Sequence, residues 1–252
     1  DEQAAGPITI FVARKIVTMN PSNPEATHVA VRDGHILGAG TLEEVAGWGS
    51  YTLDDTFANK VLVPGMIEAH AHPMEGMMSA FPYVGYFDRP AVDGSTLTGI
   101  QSQEGVIARL KEIDAAMDDP AAPLVAVGLD PIYFPAPRLS AVDLDAVSTT
   151  RPIFVFHASA HVATVNSAML QQSDITRETE VEGVVKNADG TPNGELQELP
   201  AISLAASGVN QILAAMSSEE TIWNFGAFAR NAGTTAVTDL AGVALSDPAA
   251  LA

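Results

Sequence analysis

Two histidines separated by one residue, His70 and His72, have the spacing that most directly suggests chemistry. They end an apolar stretch, and the turn residues Pro64-Gly65 before it and Pro73 after it confine a strand to residues 66–72. Side chains alternate faces along a β-strand, so both imidazoles are expected on the same face. A neutral imidazole in an apolar strand needs a partner for each ring nitrogen, and a metal ion supplies one of them. The pair is therefore predicted to bind a metal ion, the alternative being a chance pair on an exposed strand.

The composition restricts the ligands and partners that are compatible with this chain. Its 252 residues include no cysteine, so a metal ion would be held by nitrogen and oxygen ligands. Twelve basic and 31 acidic residues give a net charge of -19, which argues against nucleic acid or an anionic membrane as a partner. No apolar run approaches the roughly 18 to 20 residues of a membrane span. We expect a soluble, cytoplasmic protein, with the periplasm and secretion left open.

The first part of the chain, residues 1–64, has the pattern of a small β domain. A two-residue hairpin turn is predicted at Asp33-Gly34, and a capping box beginning at Thr41 is predicted to open a short helix. His28 and His35 flank the hairpin and are predicted to be surface residues with no role in a site. The chemistry is therefore expected in the remainder of the chain.

Strands and helices alternate beyond the histidine pair. The further predicted strands are residues 124–129, 152–156, 194–198 and 234–239, with helices between them. The first of these is wholly apolar, which is typical of a strand buried on both faces. The alternation predicts an α/β fold with a parallel sheet, namely a partial (β/α)8 TIM-like barrel, with residues 65–252 forming its first five units. In such barrels the chemistry lies at the C-terminal ends of the strands, where the histidine pair is placed.

Three segments together resemble the amidohydrolase superfamily of metal-dependent hydrolases. The stretch from Val61 to Pro73 resembles the first barrel strand of the superfamily. His161-Val-Ala-Thr-Val-Asn-Ser-Ala-Met-Leu170 and Asp189-Gly-Thr-Pro-Asn-Gly-Glu-Leu-Gln-Glu198 resemble segments at the third and fourth strands of its amidohydrolase 3 branch. That branch hydrolyses N-substituted amides and related C–N bonds, as N-substituted formamide deformylase does. The resemblance covers the N-terminal half of such proteins, and it implies that residues 1–64 are part of a small β-sandwich.

The resemblance implies roles for residues near the third and fourth strands. His161 would act on the substrate or the transition state rather than bind the metal, the alternative being a structural histidine that caps a helix or forms a hydrogen bond. An anionic metal ligand would come from the fourth strand, where Glu198 matches the position better than Glu195. The alternative for either glutamate is a solvated charge at a helix start. His157, one strand length earlier, is predicted to be a core histidine.

Strand five departs from the pattern of the superfamily. Thr238 stands where relatives often have a histidine, which leaves Asp239 to support or bind the metal, or to serve a structural role. The implied reaction is hydrolysis of an amide-like bond in a small molecule. One or two divalent ions, expected to be Zn²⁺, would activate water, and a carboxylate would transfer the proton.

Five predicted strands are too few to close an eight-stranded barrel. In the superfamily, further histidine ligands and a catalytic aspartate come from later strands. Since residues 249–252 carry no signal that ends a domain, we expect a second polypeptide or a C-terminal continuation to supply them. The alternative from another functional class is a catalytically silent half-barrel that acts as a binding or regulatory subunit.

Overall fold

The computed structural model describes residues 6–239 and divides the chain into two compact units, Asp1–Ile67 and Glu68–Ala252. Each unit has hydrophobic clusters of its own. Residues 249–252, on which the expectation of an incomplete domain rests, lie outside the described residues. The assignment of domains to residues 1–64 and 65–252 stays a prediction. Within residues 6–239, every helix is too short or too polar to cross a membrane.

The first unit is a four-stranded sheet with one short helix. Its elements are β1 (Ile8–Val17), β2 (Glu25–Arg32), β3 (His35–Gly40), α1 (Leu42–Ala46) and β4 (Tyr51–Leu62). The strand order is β3-β2-β1-β4, in which only β1 and β4 are parallel. The predicted turn is confirmed, since Asp33 and Gly34 both have positive φ, 50° and 76°, as a tight hairpin turn requires. The capping box of Thr41 with Glu44 is confirmed as well.

The second unit carries the residues that could do chemistry. Its strands are β5 (Met66–Ala71), which begins in the first unit, and β6 (Arg89–Pro90), β7 (Thr96–Leu97), β8 (Leu124–Leu129), β9 (Ile153–His157), β10 (Val162–Val165), β11 (Val184–Lys186), β12 (Pro192–Gln197) and β13 (Thr234–Asp239). Its helices are α2 (Gln103–Ala116), α3 (Ala141–Asp145), α4 (Ser167–Gln172), α5 (Glu198–Ile202), α6 (Ala206–Met216) and α7 (Glu219–Asn231), with 3-10 segments at Pro73–Ala80 and Pro131–Tyr133.

The main sheet of this unit is mixed, which corrects the prediction of a parallel sheet throughout. Its order is β11-β12-β10-β9-β8, and of the neighbouring pairs only β8 and β9 are parallel. The sequence did not indicate β10, which follows β9 after residues 158–161 alone. A parallel connection needs about a dozen residues or more, so this short link requires an antiparallel return. Among residues 6–239 the sheets form no closed barrel, and the (β/α)8 architecture stays a prediction.

The neighbouring strands β9 and β8, at one end of this sheet's order, hold the core. Every residue of β8 and β9 is buried, which confirms that residues 124–129 form a strand covered on both faces. One face packs against α2 and α3 through Leu110 and Leu144. The other face packs against the 3-10 segment Pro73–Ala80 and α6 through Met77 and Ile212. The second face is the one next to the histidine pair, because the 3-10 segment that packs on it begins directly after His72.

Helix α7 buries a threonine rather than the isoleucine beside it. Ile222 is 55% exposed, whereas its neighbour Thr221 is buried. The cause is a close approach to the 3-10 segment. A Cβ on Gly76 would lie 1.9 Å from the Thr221 carbonyl oxygen, and Asn224 Nδ2 donates a hydrogen bond to Ser79 Oγ at 2.7 Å.

Candidate functional site

Strand β5 and the residue that follows it bring the two predicted histidines together. The Nε2 atoms of His70 and His72 are 3.2 Å apart, and the ring planes are at 82° with their centroids 5.0 Å apart. His70 is exposed and His72 is half-buried. His72 remains extended, with φ of -128° and ψ of 100°, before Pro73 begins the 3-10 segment. Period-two alternation is therefore sufficient to direct both imidazoles to one point.

Asp239 lies on the other side of the His72 ring. Strand β13, which has the bounds predicted for strand five, pairs with β5 in a two-stranded sheet. The Oδ1 atom of Asp239 accepts a hydrogen bond from Nδ1 of His72 at 3.2 Å. A neutral His72 that donates from Nδ1 has its lone pair on Nε2, the atom that faces His70. In metal sites such a carboxylate orients the imidazole and raises its basicity.

The spacing of the two Nε2 atoms is that of a hydrogen bond between the rings, and it is also close to the spacing of two imidazole nitrogens bound to one zinc ion. Zinc binds imidazole nitrogen at about 2.0 to 2.1 Å in tetrahedral geometry, which separates two such nitrogens by about 3.3 Å. The observed separation is 3.2 Å. Over residues 6–239, no group of three or more histidine, aspartate or glutamate side chains is placed to hold a metal ion. The described residues therefore offer two converging imidazoles and one carboxylate that is hydrogen-bonded to one of them.

The structure also pairs His161 with Glu198. Nδ1 of His161 donates to Oε2 of Glu198 at 3.0 Å, and the backbone N–H of Glu198 donates to the His161 carbonyl oxygen at 2.8 Å. Both side chains are 67% exposed. Ala160 and Glu198 have positive φ of 59° and 61°, a conformation that costs on the order of 1 to 3 kcal/mol for a residue other than glycine. Strained residues cluster at active sites, but the same conformation occurs at Met19, Asp33 and Asp174, away from both histidine pairs.

A cavity in the second unit lies beside both pairs. Its volume is about 400 Å³, and its wall includes His72 together with Ala160 and Leu199. These last two residues are the chain neighbours of His161 and Glu198. The side chain of Glu198 does not join the two β5 histidines in a metal-binding group in the described part of the chain. Its role as a ligand and the catalytic role of His161 therefore stay predictions.

Two other candidates are held by structural contacts. Glu195 is buried, and its Oε1 accepts hydrogen bonds from Arg138 Nη1 and Gln197 Nε2, both at 2.6 Å. His157 is 2% exposed, and its Nε2 lies 2.9 Å from Thr164 Oγ1. The prediction that His157 is a core histidine is confirmed. The carboxylate of Glu195 is already paired with the Arg138 guanidinium, so its burial needs no metal ion.

Comparison with known proteins decides the family. The sequence profile of the amidohydrolase family matches residues 58–250. The chain belongs to the amidohydrolase family. This confirms the resemblance to the superfamily, whereas the likeness to N-substituted formamide deformylase stays a prediction.

Relatives of this amidohydrolase-family chain are considerably longer than the chain itself. It is 26% identical over 230 residues to LONG AFTER FAR-RED 3 of Arabidopsis thaliana, a match that covers 89% of this chain and 37% of that protein. It is 29% identical over 188 residues to YtcJ of Bacillus subtilis (strain 168), named as an amidohydrolase, covering 72% and 33%. An uncharacterized metal-dependent hydrolase from Pyrococcus horikoshii OT3 matches with a TM-score of 0.49 and 18% identity, over 91% of this chain and 42% of that one. The chain therefore spans about a third of the length of these two sequence relatives.

Replacing Asp239 by asparagine should weaken zinc binding about 10- to 100-fold, as loss of a carboxylate behind a histidine ligand does. The amide oxygen would still accept the His72 hydrogen, but without the negative charge. Competition with a chelating indicator measures the affinity. Asp118→Asn, a change at an exposed carboxylate in the loop after α2, is the matched control. Equal zinc affinity in Asp239→Asn and the unmodified protein would show that this contact does not support the metal.

Acid should destabilise the second unit through His157. Its Nδ1 is the buried side-chain polar atom that lacks a hydrogen-bond partner in the described structure, and burial, with a smaller effect of Arg138, lowers the pKa of His157 to about 4. With an unfolded pKa near 6.5, the unfolded chain binds more protons as the pH falls below this value. The stability that depends on neutral His157 is thus fully present above pH 6.5 and is lost as the pH falls below this value. The free energy of unfolding should be lower by about 2 kcal/mol at pH 5 for this reason.

Urea unfolding at pH 7 and pH 5 measures this effect. The His157→Gln variant should lose less stability between the two pH values than the unmodified protein, because glutamine does not titrate. His35→Ala, a change at an exposed histidine of the first unit, should leave the pH dependence unaltered. The same loss of stability in His157→Gln and the unmodified protein would contradict the assignment.

Proposed function

We propose that this chain takes part in the hydrolysis of an amide-like C–N bond in a small molecule. In this proposal His70 and His72 bind a divalent ion, and Zn²⁺ is the ion we expect. The 3.2 Å separation of their Nε2 atoms, on a strand of an amidohydrolase-family chain, is the observation that carries the proposal. When bound, the ion supplies an activated water and polarises the carbonyl group of the substrate. A substrate of the N-substituted formamide type is the specific form of this proposal.

The protein residues around the ion would have distinct tasks. His70 and His72 hold it through Nε2, and Asp239 keeps His72 in the tautomer that has its lone pair on that atom. Neither histidine needs to move for this, because β5 already directs both rings to the same point. Metal binding would thus rely on a preformed pair of ligands rather than on a rearrangement.

His161 and Glu198 would serve the substrate. By accepting the hydrogen of His161 Nδ1, Glu198 orients the imidazole. The Nε2 atom of His161 could then hold a proton for the carbonyl oxygen or the leaving nitrogen. Glu198 is also the residue that the family resemblance implies as an anionic ligand, and metal content in a Glu198→Gln variant separates the two roles.

A complete site requires more groups than the two histidines. We infer that a second polypeptide or a continuation of this chain supplies further ligands and a catalytic carboxylate. This inference is supported by the relatives, of whose length the chain spans 37% and 33%. The size of the assembly in solution, measured by light scattering and intact mass, tests it.

The proposed reaction is tested by removing and restoring the metal. Protein treated with a chelator should release no amine from a panel of N-substituted formamides and acetamides, and added Zn²⁺ should restore the release. Hydrolysis that persists without any divalent ion would overturn the role of the metal. Zinc binding without hydrolysis of any amide, by the chain together with the polypeptide or continuation that completes its site, would favour the binding or regulatory subunit, a candidate supported by the presence of only two converging histidines in the described residues.

A further inference from the structure

The cavity beside His72 has a composition that restricts what it can bind. It lies between the 3-10 segment Pro73–Ala80, β9 and α6, and has a volume of about 400 Å³. This volume falls within the range of small-molecule sites, about 300 to 1,000 Å³. The wall is almost wholly apolar: six of its residues have thioether or aromatic side chains and six are aliphatic. The first six are Met74, Met77, Met78, Met216, Phe154 and Phe156.

Polar side chains are few in the wall of this cavity. Of the described residues that line the cavity, only His72 and Glu75 have polar side chains, and none is lysine or arginine. Glu75 is exposed, whereas the two phenylalanines belong to the buried core. A buried anionic group would meet no compensating charge there, and the net charge of the chain, -19, also opposes an anion.

The apolar lining also argues against a cavity filled by ordered water. A buried water molecule needs about two to four polar partners, which this lining does not offer away from His72 and Glu75. Methionine side chains are flexible and polarisable, so they adapt to irregular apolar shapes. Such a wall selects for size and lack of charge rather than for one particular outline.

We propose that this cavity is the binding site for an uncharged apolar substituent of the substrate, aromatic or branched aliphatic, with the bond to be cleaved directed towards His72. The inference rests on the proposed function, because His72 in the wall is what relates the cavity to the chemistry. It adds the substrate class: neutral amides that carry a bulky hydrocarbon group. Small polar amides and acidic amides would be poor substrates.

The test measures binding rather than turnover. Metal-free protein is titrated with two uncharged probes, N-(1-naphthylmethyl)acetamide and N-(2-hydroxyethyl)acetamide, by calorimetry. The naphthyl probe should bind and the hydroxyethyl probe should not. Leu213→Asp places a charge on the cavity wall at a residue that is 51% exposed. This variant should bind the naphthyl probe with an affinity at least about tenfold lower than that of the unmodified protein. The matched control is Ala214→Asp, the same charge at the next, exposed position of α6, which should bind as the unmodified protein does.

A second variant guards against loss of folding. Val209→Trp fills the cavity from α6, and its control Asn210→Trp places the same side chain on the exposed side of that helix. Weaker naphthyl binding in Val209→Trp alone supports the proposal, with circular dichroism showing that both variants fold. The proposal would be overturned if the unmodified protein did not bind the naphthyl probe, or if Val209→Trp and Asn210→Trp lowered its affinity equally. A cavity already filled by another segment of the protein would also overturn it.

The outcome is separable from that of the proposed function. Naphthyl binding in a protein that hydrolyses no amide would leave the cavity assignment standing while the reaction fails. Hydrolysis that shows no preference for apolar amides over hydroxyethyl amides would overturn the cavity assignment alone.

Discussion

Replacing His70 and His72 together by alanine should abolish zinc binding and lower amide hydrolysis by about 10³-fold or more. The two Nε2 atoms are the converging nitrogens that the described residues offer, and alanine removes both, together with the hydrogen bond between His72 and Asp239. Loss of an ion that stabilises transition-state charge by several kcal/mol corresponds to a factor of this size. Elemental analysis gives the metal content, and amine release gives the rate.

The matched control is His35→Ala. His35 is an exposed histidine of the first unit, and its Nδ1 is hydrogen-bonded to the carbonyl oxygen of Asp33. This variant should keep both zinc and activity. Unchanged zinc stoichiometry in the double variant would remove the assignment of the metal site, whatever its activity.

The second large effect is expected for His161→Asn. Turnover should fall by about 10² to 10⁴, the usual contribution of a positioned acid or base, while the zinc content stays near that of the unmodified protein. The physical reason is that His161 is bound to Glu198 and not to the β5 histidines, so asparagine removes a group that holds a proton without removing a metal donor.

Glu198→Gln and Ser159→Ala complete this comparison. If Glu198 only orients His161, Glu198→Gln should retain zinc and lose part of the activity, whereas loss of zinc would show that it is a ligand. Ser159, an exposed neighbour whose Oγ accepts from the backbone N–H of His161, should be replaceable with little effect on either quantity. Loss of zinc in His161→Asn would contradict its assignment to the substrate.

The histidine pair could be predicted from sequence because it depends on local geometry alone. Alternation along one strand brings the rings of His70 and His72 together whatever the rest of the fold is. The contact with Asp239 could not be derived in this way, since 167 residues separate it from His72. It depends on the pairing of β13 with β5, a long-range choice that propensity and spacing do not determine.

The direction of the strands in the main sheet was mispredicted because one short strand was not recognised. The apolar segments were assigned correctly as strands, but β10 was not recognised between His157 and Asn166, so the chain was expected to cross over rather than turn back. One missed strand of four residues, Val162–Val165, changed the direction of the next, β12. Strand direction depends on connection length, and is therefore sensitive to a single omission.

The cavity was also missed, although the sequence held a signal for it. Helix α6 has apolar residues at the i, i+3, i+4 and i+7 positions Val209, Ile212, Leu213 and Met216, the spacing of an amphipathic helix. All four line the cavity. The pattern would have predicted the helix and its apolar face, but not that the face covers a space beside His72.

X-ray absorption spectroscopy of the zinc-loaded protein reports the atoms around the ion itself, and so tests whether His70 and His72 bind it. We expect imidazole nitrogens from two histidines at about 2.0 Å from zinc, and their loss in the His70→Ala/His72→Ala variant. A zinc shell of oxygen atoms alone in the unmodified protein, or an imidazole shell that persists in the double variant, would contradict this assignment.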